Sequence, residues 1–336
     1  MRSILVSLLV NVGDVVMMTS ALDLIRQKFP RVRLAALIRP DARDLMEGNP
    51  LVDEVIVYPY RSGSLFRGLG ELRSRIAAGN YELYFSLDRR PRAAAAAFIS
   101  GIGRRVGPDL LFAGARPEFW TRLLFNQVVS LSPEECRGSL VEMFQLPVRR
   151  AFQIEGRGRI TLPPVKAERA GRVKAWLPAG DGPLIGLCVK TNDPGKTWPA
   201  AGFSLLIRRL QADLKARLYL TGGPGDRDYV EALLKEAGAE AAVNLAGLTE
   251  LMDLPALAAA SDLFITLDNA AAHLAANSGL KNIICLLLAT TPAILLDSMP
   301  QAVFRPLSPI GPPAGQAVLA READGIFRAA REILGK

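Results

Sequence analysis

Four short stretches combine residues capable of chemistry with neighbours that expose backbone. In the first, Asn11-Val12-Gly13-Asp14, a carboxylate falls between an apolar run and a helical pattern. Gly13 permits a tight turn, and a carboxylate near a helix start is electrostatically favoured. By spacing alone, Asp14 reads as a helix cap as readily as a reacting group. The second, Thr191-Asn192-Asp193-Pro194-Gly195-Lys196-Thr197-Trp198-Pro199, is a loop with one cation, and a lone loop lysine is ordinarily solvated. The third is Asp268-Asn269-Ala270-Ala271-Ala272-His273-Leu274-Ala275-Ala276. A helix starting there would aim unpaired backbone N–H groups outward, a ready seat for a diphosphate, while His273 reads equally well as a half-buried helix residue. The fourth, Thr221-Gly222-Gly223-Pro224-Gly225-Asp226, is a glycine-rich turn. Asp226-Arg227-Asp228 imitates a metal-binding Asp-x-Asp, but Asp226 stands where a helix cap belongs. His273 is the only histidine, which argues against a His-based metal site, and no metal is expected.

The elements that must position these stretches follow from the apolar pattern. The chain has 336 residues, 50% of them hydrophobic, more than one core usually organises, so two domains are expected. Strand-like runs at 4–9, 32–38, 54–57 and 81–87 alternate with helical patterns, as do runs at 184–189, 217–221, 263–267 and 282–288. Such alternation is the mark of parallel βαβ units. Between the first two runs, Val15, Met18, Leu22, Ile25 and Phe29 make one helical stripe that stops before Pro30. Residues 156–183, rich in Gly, Pro and charge, read as a linker containing one short helix at 165–177, and 320–334 reads as a terminal helix. The expected architecture is α/β, two doubly wound domains facing a central cleft, with ligands at the carboxyl ends of the strands.

Composition narrows the function classes. Cys136, Cys188 and Cys285 are few and far apart, which argues against a disulfide framework and suits a reducing compartment. The opening MRSILVSLLV lacks a small-residue cleavage site and runs into Gly13-Asp14, so it reads as a buried first strand rather than a signal peptide. No apolar stretch reaches the ~18–20 residues of a membrane span, the best candidate being broken by Thr290, Thr291 and Pro292. Of the net charge of +8, nearly all lies in the first half. Clusters such as Arg89-Arg90 with Arg92, Arg104-Arg105 and Arg149-Arg150 suggest an anionic partner there, against the plainer reading of solvated helix faces. No nucleic-acid motif or aromatic interleaving accompanies them, so nucleic acid is not an expected partner.

The ordered set of motifs resembles glycosyltransferase family 9, the heptosyltransferase-like group with the GT-B fold of two Rossmann-like domains. Gly13-Asp14, Thr19-Ser20-Ala21-Leu22, Phe29-Pro30 and the run Glu47 to Val55 are similar to that family's opening. Lys196-Thr197-Trp198-Pro199 resembles its KxWP element, Asp268 to Ala276 its D[ST]GxxHLAA signature, Thr221 to Asp226 its GGPGD element, and Ala246-Gly247-Leu248-Thr249 its LAGxT segment. The resemblance implies an acceptor-side domain at 1–165, a nucleotide-sugar donor domain at 166–320, and a terminal helix at 321–336 packing back toward the first domain. It implies Asp14 as the general base and Lys196 as the cation that meets the donor diphosphate. Donor contacts would fall on Gly13, Thr191, Asn192, Gly223, Asp226, Thr249, Asp268, Asn269, Ala270 and His273, and acceptor contacts on Arg61, Arg89, Arg90 and Arg92. The implied reaction moves a sugar, ADP-heptose being the family's donor, onto a lipopolysaccharide core or related bacterial glycan. It needs no cofactor beyond the nucleotide-sugar co-substrate, and it would run in the cytoplasm at the inner face of the membrane on an anionic glycan or glycolipid. Three departures stand out: Asn269 for Ser or Thr, Ala270 for Gly, and Leu288-Ala289-Thr290-Thr291-Pro292 where the family has a GPTDP-like loop. They motivate an alternative, a noncatalytic nucleotide- or glycan-binding protein of the same fold. A third reading, a nucleotide-sugar epimerase, lacks the expected carboxylate and histidine constellation.

Overall fold

The computed structural model describes residues 1–58, 65–88, 90–109, 123–308 and 315–336, and, within these, the backbone alone of 65–68. Contacts divide the chain into two units, Met1–Pro164 and Val165–Lys336.

In the first unit the strands are β1 (Ser3–Leu8), β2 (Arg33–Ile38), β3 (Glu54–Val57), β4 (Leu83–Ser86), β5 (Arg104–Pro108) and β6 (Gln127–Val129). They form one parallel sheet in the order β3-β2-β1-β4-β5-β6. Every residue of β1 is buried, which is why it reads as an unbroken apolar run: a parallel strand is covered on both faces. The longer helices among the described residues are α1 (Val12–Lys28), α2 (Leu65–Gly79), α3 (Pro91–Ile99) and α4 (Leu140–Phe152). Helix α1 buries ten residues from Val15 to Ile25, more than the one stripe expected, because it packs against α4 as well as lying in the sheet's cover.

The first part of the stretch expected to be a linker, up to Pro164, is claimed by this unit. Thr161 N donates to Thr19 Oγ1 at 3.0 Å, Arg159 N to Asp23 Oδ2 at 2.8 Å, and Gly158 exchanges two hydrogen bonds with the Gln145 side chain. A Cβ on Gly158 would stand 1.9 Å from the Ser20 carbonyl oxygen. Glycine serves here as a close seat on α1 rather than as a source of freedom.

The second unit repeats the plan with β7 (Leu184–Cys188), β8 (Arg217–Thr221), β9 (Val243–Asn244), β10 (Leu263–Leu267), β11 (Ile283–Leu287) and β12 (Ala302–Pro306). The order is β12-β11-β10-β7-β8-β9, again all parallel. Its longer helices among the described residues are α5 (Ala167–Trp176), α6 (Ala200–Leu214), α7 (Arg227–Ala237), α8 (Asp253–Ala259), α9 (Ala270–Ala276) and α10 (Gln316–Ile333). Arg169 and Arg172 of α5 reach the fully buried Asp253 of α8 at 2.9 and 2.8 Å.

The terminal helix α10 is built into the second unit's core. Leu319, Ala323, Ile326, Phe327 and Ala330 bury with α6 and the sheet, and Arg209 lies 4.1 Å over the Phe327 ring. The physical reason is its apolar face, which continues the stripe of α6.

Candidate functional site

In each sheet the first strand of the unit sits beside the fourth, so successive connections leave the β1/β4 and β7/β10 boundaries in opposite directions. Loops leaving the carboxyl ends of such a pair splay apart and open a crevice. The segments that follow these four strands carry Asp14, in the first turn of α1, then Asp88, Lys190 to Lys196, and Asp268.

Lys196 and Asp268 are 72 residues apart in sequence, yet Lys196 Nζ lies 2.7 Å from Asp268 Oδ2. The same carboxylate oxygen accepts from Thr290 Oγ1, at the end of β11. The residues just after the lysine hold it in place. Trp198 is 1% exposed, stacks edge-on against Phe203 at 4.9 Å and donates its indole N–H to Glu322 of α10 at 2.8 Å. A Cβ on Gly202 would come within 2.5 Å of that ring. The aromatic beside the lysine is thus an anchor for the loop. Thr191 closes the loop from the other end, its Oγ1 donating to the Asp193 carbonyl at 2.6 Å and its N–H reaching Thr197 Oγ1 at 3.3 Å, with Asn192 exposed on the bend.

Asn269 caps α9. Its Oδ1 accepts from the backbone of Ala271 at 3.0 Å and Ala272 at 3.3 Å, and its Nδ2 donates to Cys188 Sγ and the Lys190 carbonyl. The open helix N-terminus expected at Ala270 is therefore already occupied in part by the chain's own side chain. An amide at this position offers a carbonyl acceptor of the right reach, which is why Asn is a strong cap. His273 follows on the buried side, 3% exposed, with Nδ1 3.1 Å from Ser298 Oγ. Ser298 donates its one hydroxyl proton to the Leu295 carbonyl at 2.8 Å, so the imidazole donates from Nδ1 and keeps Nε2 as the acceptor. Burial pushes its pKa down to about 4; Asp268 opposes this and Lys196 adds to it. His273 is a neutral imidazole behind the site.

On the other flank of β7, the glycine-rich turn folds back on itself: Asp226 Oδ2 accepts from Gly223 N at 2.8 Å. Asp226 stands at the N-cap of α7, as expected, although its side chain makes no cap bond to that helix. Gly247, at a left-handed φ of 75°, donates to the Gly222 carbonyl at 3.0 Å and passes so close that its Cβ would stand 3.0 Å from Pro224 Cα. Thr249 is half-buried two residues beyond. The N-cap of α8 is Met252, and the Glu250 N–H goes to Asp253 Oδ2 at 2.8 Å.

In the first unit, Gly13 and Asp14 lie inside the first turn of α1, after the N-cap Asn11. The tight turn expected at Gly13 precedes it, and Asp14 is the third helical residue rather than the cap. Asn11 turns its Oδ1 to Arg39 at 3.1 Å instead of capping. Beyond β4, Asp88 is 2% exposed, with Arg90 Nε at 3.5 Å and Arg92 Nε at 3.8 Å. The two arginines expected to await an anion thus already face a buried carboxylate. Arg61 and Arg89 lie outside the described residues. Asp88 was missed in the sequence, although its signal was there: it follows an apolar run directly, as Asp268 does. A cavity of about 640 Å³ lined by Val173, Leu177, Arg217 and Ala256 opens at the amino ends of β7 and β8, the wrong end of the sheet for these groups.

Residues 151–293 match the model of glycosyltransferase family 9 (heptosyltransferase). That segment, under half of the chain, is similar to the family 9 glycosyltransferases. That match makes the protein a glycosyltransferase. Solved structures share its GT-B fold: a family 9 glycosyl transferase from Veillonella parvula is 19% identical with a TM-score of 0.83, covering 99% of this chain and 97% of that one. Escherichia coli ADP-heptose lps heptosyltransferase II is 20% identical, TM-score 0.76, covering 99% and 98%. E. coli heptosyltransferase WaaC with ADP is 17% identical, TM-score 0.74, covering 99% and 100%. A search of the curated proteins finds no match. The family 9 match spans Lys196, Asp226, Asp268 and His273, and leaves Asp14 and the Arg90–Arg92 cluster outside it.

Proposed function

We propose that the protein is an inverting, metal-independent transferase that moves a sugar, heptose from ADP-heptose, onto a lipopolysaccharide core or related anionic bacterial glycan. The observation that carries this is the pairing of Lys196 with Asp268 across the β7/β10 switch point, which sets a cation where a diphosphate would lie. In the reaction an acceptor hydroxyl oxygen attacks the anomeric carbon and the bond from that carbon to the phosphate oxygen breaks. The bonding pair leaves on the diphosphate, and the hydroxyl proton passes to the Asp14 carboxylate. Lys196 stabilises the charge that develops on the leaving group. Asp14 lies in the first turn of a 17-residue helix, and as a carboxylate it offers an oxygen that can accept the proton. The work would take place at the cytoplasmic face of the inner membrane, where the basic first half suits an acidic acceptor.

The test is transfer from ADP-heptose to a core-glycan acceptor, followed by mass spectrometry. General-base assistance contributes ~10²–10⁴-fold, so Asp14→Asn should lose turnover by that factor while still binding ADP. Near wild-type turnover would remove Asp14 as the base. A second reading, a noncatalytic binder, draws on Asn269 capping α9. It predicts ADP binding with no transfer by the wild type.

A further inference from the structure

The second unit presents two lysines at the end of β7, and only one of them has a role so far. Lys190 stands two residues past the strand. Its Nζ lies 3.0 Å from Asp226 Oδ1 and 5.2 Å from the centre of the Tyr229 ring, while its carbonyl accepts from Asn269 Nδ2 at 3.3 Å. The arrangement mirrors that of Lys196. β7 has β10 on one side and β8 on the other; Lys196 leans on the aspartate that follows β10, and Lys190 on the aspartate in the turn that follows β8.

Holding Asp226 does not by itself account for Lys190. The other oxygen of that carboxylate is already bound by the Gly223 N–H, the lysine side chain is 34% exposed, and an ion pair so open to water adds little stability. What the arrangement does supply is order. A carboxylate and an aromatic face together fix a flexible four-carbon chain beside a turn of glycines, with its ammonium still reachable. A diphosphate carries more negative charge than one ammonium balances, and it can draw both lysines from their carboxylates.

We propose that Lys190 is a second cationic contact for the donor's diphosphate, on the glycine-rich-turn side of β7, and that it sets nucleotide affinity rather than the rate of the chemical step. The proposal rests on reading this unit as a nucleoside-diphosphate-sugar site. A contact made equally to bound donor and to the transition state changes KM and leaves kcat alone.

The full-length chain and its Lys190→Met and Lys190→Arg variants are titrated with ADP, UDP and adenosine by calorimetry and ligand-observed NMR, and donor KM and kcat are measured. Lys190→Met should weaken the preferred diphosphate about 10-fold or more, in the range of a lost charge-assisted hydrogen bond. Adenosine binding and kcat should stay within about 3-fold, and Lys190→Arg should recover part of the loss. Unchanged diphosphate affinity in Lys190→Met overturns the proposal alone. So does an equal weakening of ADP and adenosine, which would mean that Lys190 acts only by holding Asp226. A wild type that binds neither ADP nor UDP removes the donor-site reading beneath it.

Discussion

Acid should destabilise the second unit through one residue. His273 is the chain's only histidine, buried at 3% exposure, with its pKa depressed from 6.5 to about 4 mainly by burial. In the unfolded chain the same imidazole is ordinary. Between those two values the unfolded state binds a proton that the folded state refuses, so stability falls as pH drops through 6.5 and stops falling, on this account, near 4. At 1.36 kcal/mol per pKa unit the full effect is on the order of 3 kcal/mol. Roughly 2 kcal/mol of it should be lost between pH 7.5 and 5.0. With a urea dependence of about 2 kcal/mol per molar, the midpoint should move by about 1 M. The carboxylates also titrate toward the acid end, so the measured quantity is the difference between wild type and His273→Gln, in which every other group is shared. The lone imidazole gives an unambiguous NMR signal, and its titration supplies the folded value directly. A midpoint at or above 6.5, or a wild type that loses no more stability than His273→Gln over this range, would refute the burial argument.

Three further outcomes rest on the same contacts. Lys196→Met should raise the His273 titration midpoint and Asp268→Asn should lower it further, because the lysine depresses that pKa and the aspartate lifts it; the imidazole signal reads both. Gly202→Ala should unseat the Trp198 ring, costing about 1–3 kcal/mol by overpacking, and should show as a red-shifted tryptophan emission with a loss of transfer activity. Replacing Arg90 and Arg92 together with glutamine should lower the first unit's melting temperature, by about 1–3 kcal/mol of stability, since the buried Asp88 loses both cations; unchanged melting would return those arginines to solvent.

The central strands were legible because burial on both faces writes an apolar run: β1, β7, β10 and β11 are buried throughout. The strands that the apolar pattern does not announce are β5, β6, β9 and β12, toward or at the sheet margins. β9 is two residues and β12 has no fully buried residue, so nothing in their composition separates them from loop. Among the site residues, Lys196 and Asp268 were findable as motifs, whereas Lys190 was not. A lysine after a strand means little until the strand order makes its neighbour an aspartate. The capping by Asn269 escaped notice for the opposite reason. A helix start invites an anion in the abstract, and only the folded chain reveals which side chain has taken the N–H groups first.

The strand order has a consequence for assembly. Ile4 pairs with Leu83, and Ile185 with Leu263, so each sheet is two three-stranded halves joined along a seam that forms only when residues almost eighty positions apart meet. Contacts of such separation are slow to form. In the second unit the seam runs between β7 and β10, and Lys196 faces Asp268 across it. If the chain were cut in the connection between β9 and β10, neither fragment would own the lysine–aspartate pair, and nucleotide binding would report the rejoining of the halves.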